Sequence, residues 1–127
     1  ALATERNVSI QTIQTDLGTF EPAAGYWQGI VSIWAHMPAP ARASLHQRCV
    51  AGLASGGVFL LEAYTPRQIE KRTGGPADPF LLMNVEDLRR ELTGLHFLLA
   101  REIERDVREG AGHNGISAVV QILAIKP

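Results

Sequence analysis

Tyr26-Trp27-Gln28-Gly29-Ile30-Val31-Ser32-Ile33-Trp34-Ala35-His36-Met37-Pro38 is the stretch that decides the fold. Gly29 to Ala35 is a near-continuous apolar run, the pattern of a strand covered on both faces, as in a parallel sheet. His36 follows its end. Pro38 and Pro40 then open a helix expected to run to about Leu53, with Arg42, Leu45, Cys49 and Leu53 near helical spacing. Proline in the first helical turn costs little, because its missing N–H would have no partner there anyway. Ser55-Gly56-Gly57 punctuates the helix end. Val58-Phe59-Leu60-Leu61-Glu62-Ala63-Tyr64 is the next buried strand.

Upstream, Ala1 to Arg6 reads as the end of a helix, with Asn7 as its stop. Val8 to Thr15 alternates apolar and polar residues and is rich in β-branched side chains, so a strand is expected there, ended by Asp16-Leu17-Gly18. Downstream, Thr65-Pro66 starts a short helical piece and Gly74 to Pro79 is a loop. Asn84, with Asp87 three residues on, caps a helix from Val85 to about Leu92. His96 to about Arg108 contains a strand, although Arg101 to Arg108 also fits a helix. Ser117 to Ile125 is strongly β-forming. The order β, β, α, β, short α, α, β, β is that of an α/β sheet with parallel crossovers. The short glycine-rich loop between the last two strands makes that pair antiparallel.

The 127 residues make one domain. With 46% hydrophobic and 20% charged residues, the chain is too apolar to be disordered. Twelve basic and thirteen acidic residues leave a formal net charge of −1, with no block of five like charges. That argues against a nucleic-acid partner and against a polybasic membrane patch. No apolar stretch approaches the ~20 residues of a membrane span. The single cysteine, Cys49, excludes an internal disulfide and any Cys-rich zinc site, and a reducing cytoplasm is the expected compartment.

Gly110-Ala111-Gly112-His113-Asn114-Gly115 matches G-x-G-x-x-G by letters. A dinucleotide loop needs a strand before it, a helix after it and an acidic residue ~20 positions on. Here a β-branched run follows, so the segment reads as a hairpin loop, with His113 in solvent. Among His36, His46, His96 and His113 no metal-ligand spacing occurs, and no metal is expected. Ser44 and His46, two apart on a helix, point in different directions and form no nucleophile pair.

The informative residues stand where apolar runs end: Thr15-Asp16-Leu17, then Ser32-Ile33-Trp34-Ala35-His36, then Glu62-Ala63-Tyr64. Ligands of open α/β sheets bind outside the carboxyl ends of strands. Plainer readings stand beside this one: Asp16 also fits a turn cap, and Trp34 a core position. Taken together, Val8 to Leu17, Tyr26 to Pro38 and Leu53 to Glu62 resemble the later half of a class I S-adenosylmethionine-dependent methyltransferase. The nearest branch is the small bacterial one that includes tellurite-resistance-type enzymes. Gln28 stands where that family usually has Asp, and Ala54-Ser55 where it usually has Lys-Pro.

The resemblance implies a Rossmann-like methyltransferase sheet, parallel with an antiparallel last strand and without the family's N-terminal strands. The single domain, residues 1–127, is then a partial one. It also implies the cofactor S-adenosylmethionine and a small-molecule methyl acceptor. Asp16 would accept a hydrogen bond from the adenine amino group, and the Leu17 backbone would read the ring edge. Ile33 and Trp34 would wall the cofactor, and His36 would sit near its sulfonium. His36 is the best base at the strand tips, beside a packing role. Glu62 and Tyr64 would contact the acceptor, with a structural hydrogen-bonding role as the alternative for Glu62. The family's glycine-rich loop and its ribose-binding acid are not in this sequence. The expectation is therefore either a longer native protein, a homo-oligomer that covers its open sheet edges, or a module without catalysis. An unrelated α/β ligand-binding domain is the third functional class.

Overall fold

The computed structural model of the chain describes residues 2–127. A short helix α1 (Leu2–Glu5) is followed by strand β1 (Trp27–Ile33), helix α2 (Ala39–Gly52), strand β2 (Leu53–Tyr64) and helix α3 (Val85–Glu91). Strands β3 (His96–Arg108) and β4 (Asn114–Ile125) end the chain, and two 3-10 turns, Pro66–Glu70 and Pro79–Leu81, lie between β2 and α3. The four strands form one sheet in the order β1-β2-β4-β3. β1 and β2 are parallel, and β4 runs antiparallel to both of its neighbours. The helical alternative for Arg101 to Arg108 loses to the twelve-residue β4, which offers a complete ladder to that segment.

The strand expected over Val8 to Thr15 does not form. Alternation makes a strand only where an adjacent edge supplies hydrogen bonds and a core takes the apolar face. This segment joins no edge and buries no face: Val8, Ile10 and Ile13 are all exposed, and it makes no ladder with β1. The other edge of β1 has no hydrogen-bonded neighbour among the described residues.

Period-2 alternation sorts the sheet into two faces. Phe59, Leu61 and Ala63 of β2 and Val120, Ile122 and Ala124 of β4 are buried together with Leu45, Cys49, Leu88 and Leu92 of the helical side. Truncating a ring like that of Phe59 typically costs about 3–5 kcal/mol. The opposite face carries Val31, Ile33 and Leu60, each at least 39% exposed, and Ile33 and Leu60 line an open apolar cavity of about 320 Å³ there. Gly57 lets β2 close on β1, since a Cβ there would lie 2.8 Å from the Ala54 and Trp27 carbonyl oxygens.

Helix α3 starts as its sequence dictates: the Asn84 side chain accepts from the Asp87 N–H at 2.8 Å. Between α2 and α3 lies a buried charge cluster. Arg42, 1% exposed, donates from Nε and Nη2 to the Glu91 carboxylate and from Nη1 to the Leu82 carbonyl. His46 Nδ1 faces the same carboxylate at 2.8 Å. Among the described residues no helix is long and apolar enough to cross a membrane.

Candidate functional site

Parallel register puts the carboxyl ends of β1 and β2 side by side, with Ile33 opposite Glu62. The ladder is prolonged by Trp34, whose N–H donates to the Glu62 carbonyl at 3.0 Å. Trp34 then takes a left-handed backbone, φ 55°. For a residue with a Cβ that costs roughly 1–2 kcal/mol, and such costs persist only where the surroundings fix the residue. Two contacts do so here. The indole stacks on Tyr64 with ring centres 4.4 Å apart, and its N–H donates to Glu109 Oε2 at 2.6 Å. A hydrogen bond to a charged group contributes about 1.5–3 kcal/mol, enough to offset the strain.

Tyr64 is the hub of the cluster. It is 1% exposed and stacks near-parallel with His36 and His113 as well as Trp34. Its hydroxyl lies 3.0 Å from His113 Nδ1. Burial, then the nearby charge of Glu109, pushes the phenol above its ordinary value, so it keeps its proton. Glu62 is held by Arg105 from β3 and by the Gln121 amide from β4. Arg105 also lies near Glu109 and about 6 Å from the Trp34 ring centre.

His36 makes two bonds to backbone. Its Nδ1 lies 3.0 Å from the Leu81 carbonyl, so that nitrogen carries the proton, and Nε2 accepts from the Tyr64 N–H at 3.4 Å. Burial lowers the ring's pKa from its ordinary value; the Leu81 carbonyl works against this, while the charges of Arg42 and His113 add to it. His36 is thus a neutral tie between both strand ends and the Pro79–Leu81 turn, with neither nitrogen open to a reactant.

The third tip differs from the sequence expectation because its strand is absent. Leu17 still reaches β1. It lines a mostly apolar cavity of about 280 Å³ with Phe20, Ile33, Ala35, Cys49 and Phe59. Arg48 pins the segment, donating to the Leu17, Gly18 and Phe20 carbonyls at 2.7–3.1 Å. Asp16 is exposed, and its Oδ1 caps the turn by accepting from the Gly18 N–H at 2.8 Å. The residues named from sequence therefore form two groups. Trp34, His36, Glu62 and Tyr64 touch one another or a shared partner, while Leu17 meets Ile33 across the cavity beside β1 and Asp16 caps the turn just before it.

Three functional groups escaped the sequence reading. His113 is only partly in solvent: the hairpin between β3 and β4 folds it onto Tyr64, and the Gly74-Gly75 loop packs over the pair. A Cβ on Gly75 would lie 2.6 Å from the Tyr64 ring, and one on Gly74 would lie 2.7 Å from His113 Nδ1. Glu109 and Arg105 are the other two. Their partners are 75 and 43 positions away, a separation no local motif encodes. Among the described residues no group of three His, Cys, Asp or Glu side chains converges on one point.

No family model and no curated protein sequence matches the chain. Solved structures do. TehB from Haemophilus influenzae superposes over 99% of this chain and 44% of its own, with a TM-score of 0.71 at 18% identity. A methyltransferase from Methanosarcina mazei matches over 88% and 65%, at 0.64 and 13%. The N-methyltransferase NodS from Bradyrhizobium japonicum matches over 89% and 57%, at 0.59 and 14%. The fold is that of a class I S-adenosylmethionine-dependent methyltransferase. The chain spans 44 to 65% of the length of these three structures.

The residues fit the adenine end of that cofactor. Among the described residues Asp16 Oδ2 has no hydrogen-bond partner and can accept from an exocyclic amine, and the neighbouring Leu17 lines an apolar slot. For the amino-acid end, the described residues supply no glycine-rich strand–helix turn, and the acidic residue at the β2 tip, Glu62, is tied up by Arg105 and Gln121.

Proposed function

We propose that the chain is the acceptor-side part of an S-adenosylmethionine-dependent methyltransferase that acts on a small molecule. The observation that carries this reading is the convergence of Trp34, His36, Tyr64 and Glu62 at two adjacent strand tips of a methyltransferase fold. The bound cofactor supplies an electrophilic methyl group, and alignment of the acceptor provides most of the catalysis. Asp16, Leu17 and Ile33 hold the adenine. Trp34, fixed by Tyr64 and Glu109, walls the donor side, and His36 joins the two strand ends behind it. Glu62, with Arg105, and Tyr64 frame the acceptor.

We place the protein in the cytoplasm, where its one cysteine, buried and unpaired, would stay reduced. We also read it as a homo-oligomer, because the open edge of β1 and the apolar residues Val31, Ile33 and Leu60 invite a second copy. Calorimetry with S-adenosylmethionine tests the cofactor role. Asp16→Ala should weaken binding about 10-fold or more, the effect of losing one hydrogen bond to a charged acceptor. Unchanged affinity removes Asp16 from the adenine site, and no binding by the parent chain removes the function.

A further inference from the structure

His113 is the second histidine in the Tyr64 cluster, and its bonding is the converse of His36's. Its Nδ1 is engaged by the Tyr64 hydroxyl at 3.0 Å, with the two rings 11° from coplanar. Among the described residues its Nε2 has no hydrogen-bond partner, and His113 is half-exposed. The other ionisable groups of the cluster are taken: Glu62 and Glu109 face Arg105, Glu109 also accepts from Trp34, and both His36 nitrogens meet backbone. The Gly74-Gly75 loop and the Thr73, Ser117 and Gln68 side chains close the other side of the Tyr64–His113 pair without bringing a charge to it.

We propose that His113, oriented by Tyr64, is the proton-accepting group of the acceptor site, and that the acceptor is a nucleophile still bearing its proton, an O–H or N–H group. This rests on the methyltransferase reading and deepens it. An oxyanion or a thiolate would need no such group, so the arrangement names the class of substrate. The tautomer follows from the role. Nδ1–H donates to the Tyr64 oxygen. The Nε2 lone pair is then free. The acceptor's proton passes to Nε2 as its lone pair forms the bond to the methyl carbon. The carbon–sulfur bond of the sulfonium donor breaks with its electron pair left on sulfur. The products are a methylated acceptor, a thioether and an imidazolium.

Two measurements on the intact chain decide it. Nitrogen-15 NMR of the histidine rings reports the tautomer without any ligand. The expected result is a protonated Nδ1 on His113, with Tyr64→Phe shifting the ring towards the protonated Nε2 form. A protonated Nε2 in the parent chain overturns the proposal, whatever calorimetry shows for the cofactor. The second measurement is methyl transfer from S-adenosylmethionine to phenol and to para-nitrophenol, the latter largely ionised above neutral pH. His113→Gln should slow transfer to phenol by about 100-fold or more, and transfer to the ionised probe by less than about 3-fold. Equal loss on both probes would make His113 structural and overturn the role. Failure of the parent chain to bind the cofactor would count against the function, leaving the tautomer result to decide the assignment of His113.

Discussion

Replacing Glu91 by Gln should be the most damaging single-atom change in this protein. Arg42 is 1% exposed, and its guanidinium is held by the Glu91 carboxylate through Nε and Nη2. Removing the carboxylate's charge leaves a cation with only the Leu82 carbonyl and an amide for partners. Breaking a buried pair from one side costs about 3–5 kcal/mol, against a total stability of roughly 5–15 kcal/mol for a domain. For a chain of this length that is a fall in Tm of about 10–20 °C. Arg42→Met should cost less, because Glu91 keeps its hydrogen bond with His46 Nδ1 at 2.8 Å. The double variant should recover much of the loss. Urea unfolding of the four proteins gives the coupling energy directly. A coupling below about 0.5 kcal/mol would refute the reasoning, since it would mean that Arg42 is hydrated or otherwise satisfied.

Other tests follow from single contacts. Burial raises the Glu91 carboxyl, but hydrogen bonds from His46 and Arg42 and their charges lower it further, so its net pKa lies below the ordinary 4.5. Its stabilisation is present above that pH and should be lost as pH falls through the lower folded-state value, a limb absent from Glu91→Gln in melts from pH 6 to 3. His36 has the same sign for a different reason: held neutral by burial, it binds its proton less readily folded than unfolded. Stability should drop as pH falls through 6.5 towards its lower folded value, and His36→Asn should flatten that step of the melting curve. Asn84→Ala removes the acceptor for the Asp87 N–H and should cost about 1 kcal/mol in denaturant titration. Gly75→Ala places a methyl 2.6 Å from the Tyr64 ring at φ 86°, and should perturb the Tyr64 and His113 NMR signals as well as lower Tm.

Most of the fold was legible because its signals are local. The Gly29–Ala35 run, the Asn84 cap and the hairpin glycines each contain their own instruction, and each element lies within a few residues of its expected place. Val8 to Thr15 shows the limit of that reading. Its pattern is as good as that of β4, but a ladder belongs to two segments, and β1 pairs only with β2. The site divides the same way. Trp34, His36, Glu62 and Tyr64 could be found because they follow apolar runs at strand ends. His113 and Glu109 could not, because the hairpin that carries them bends back over Tyr64 and Trp34 only once the sheet exists. The Arg42–Glu91 pair was hidden by its 49-residue separation and by residue types that usually face water.

The position of β4 has a consequence for how the chain is born. It is the middle rung between β2 and β3, with Ile125 beside both Val58 and His96, yet it leaves the ribosome after either of them. Until then β2 and β3 have no shared neighbour, and Phe59 and Leu61 lack the core partners that β4 brings, Val120, Ile122 and Ala124. Synthesis of this protein therefore includes an interval in which its two flanking strands exist without the one that joins them, the interval in which chaperones would find it.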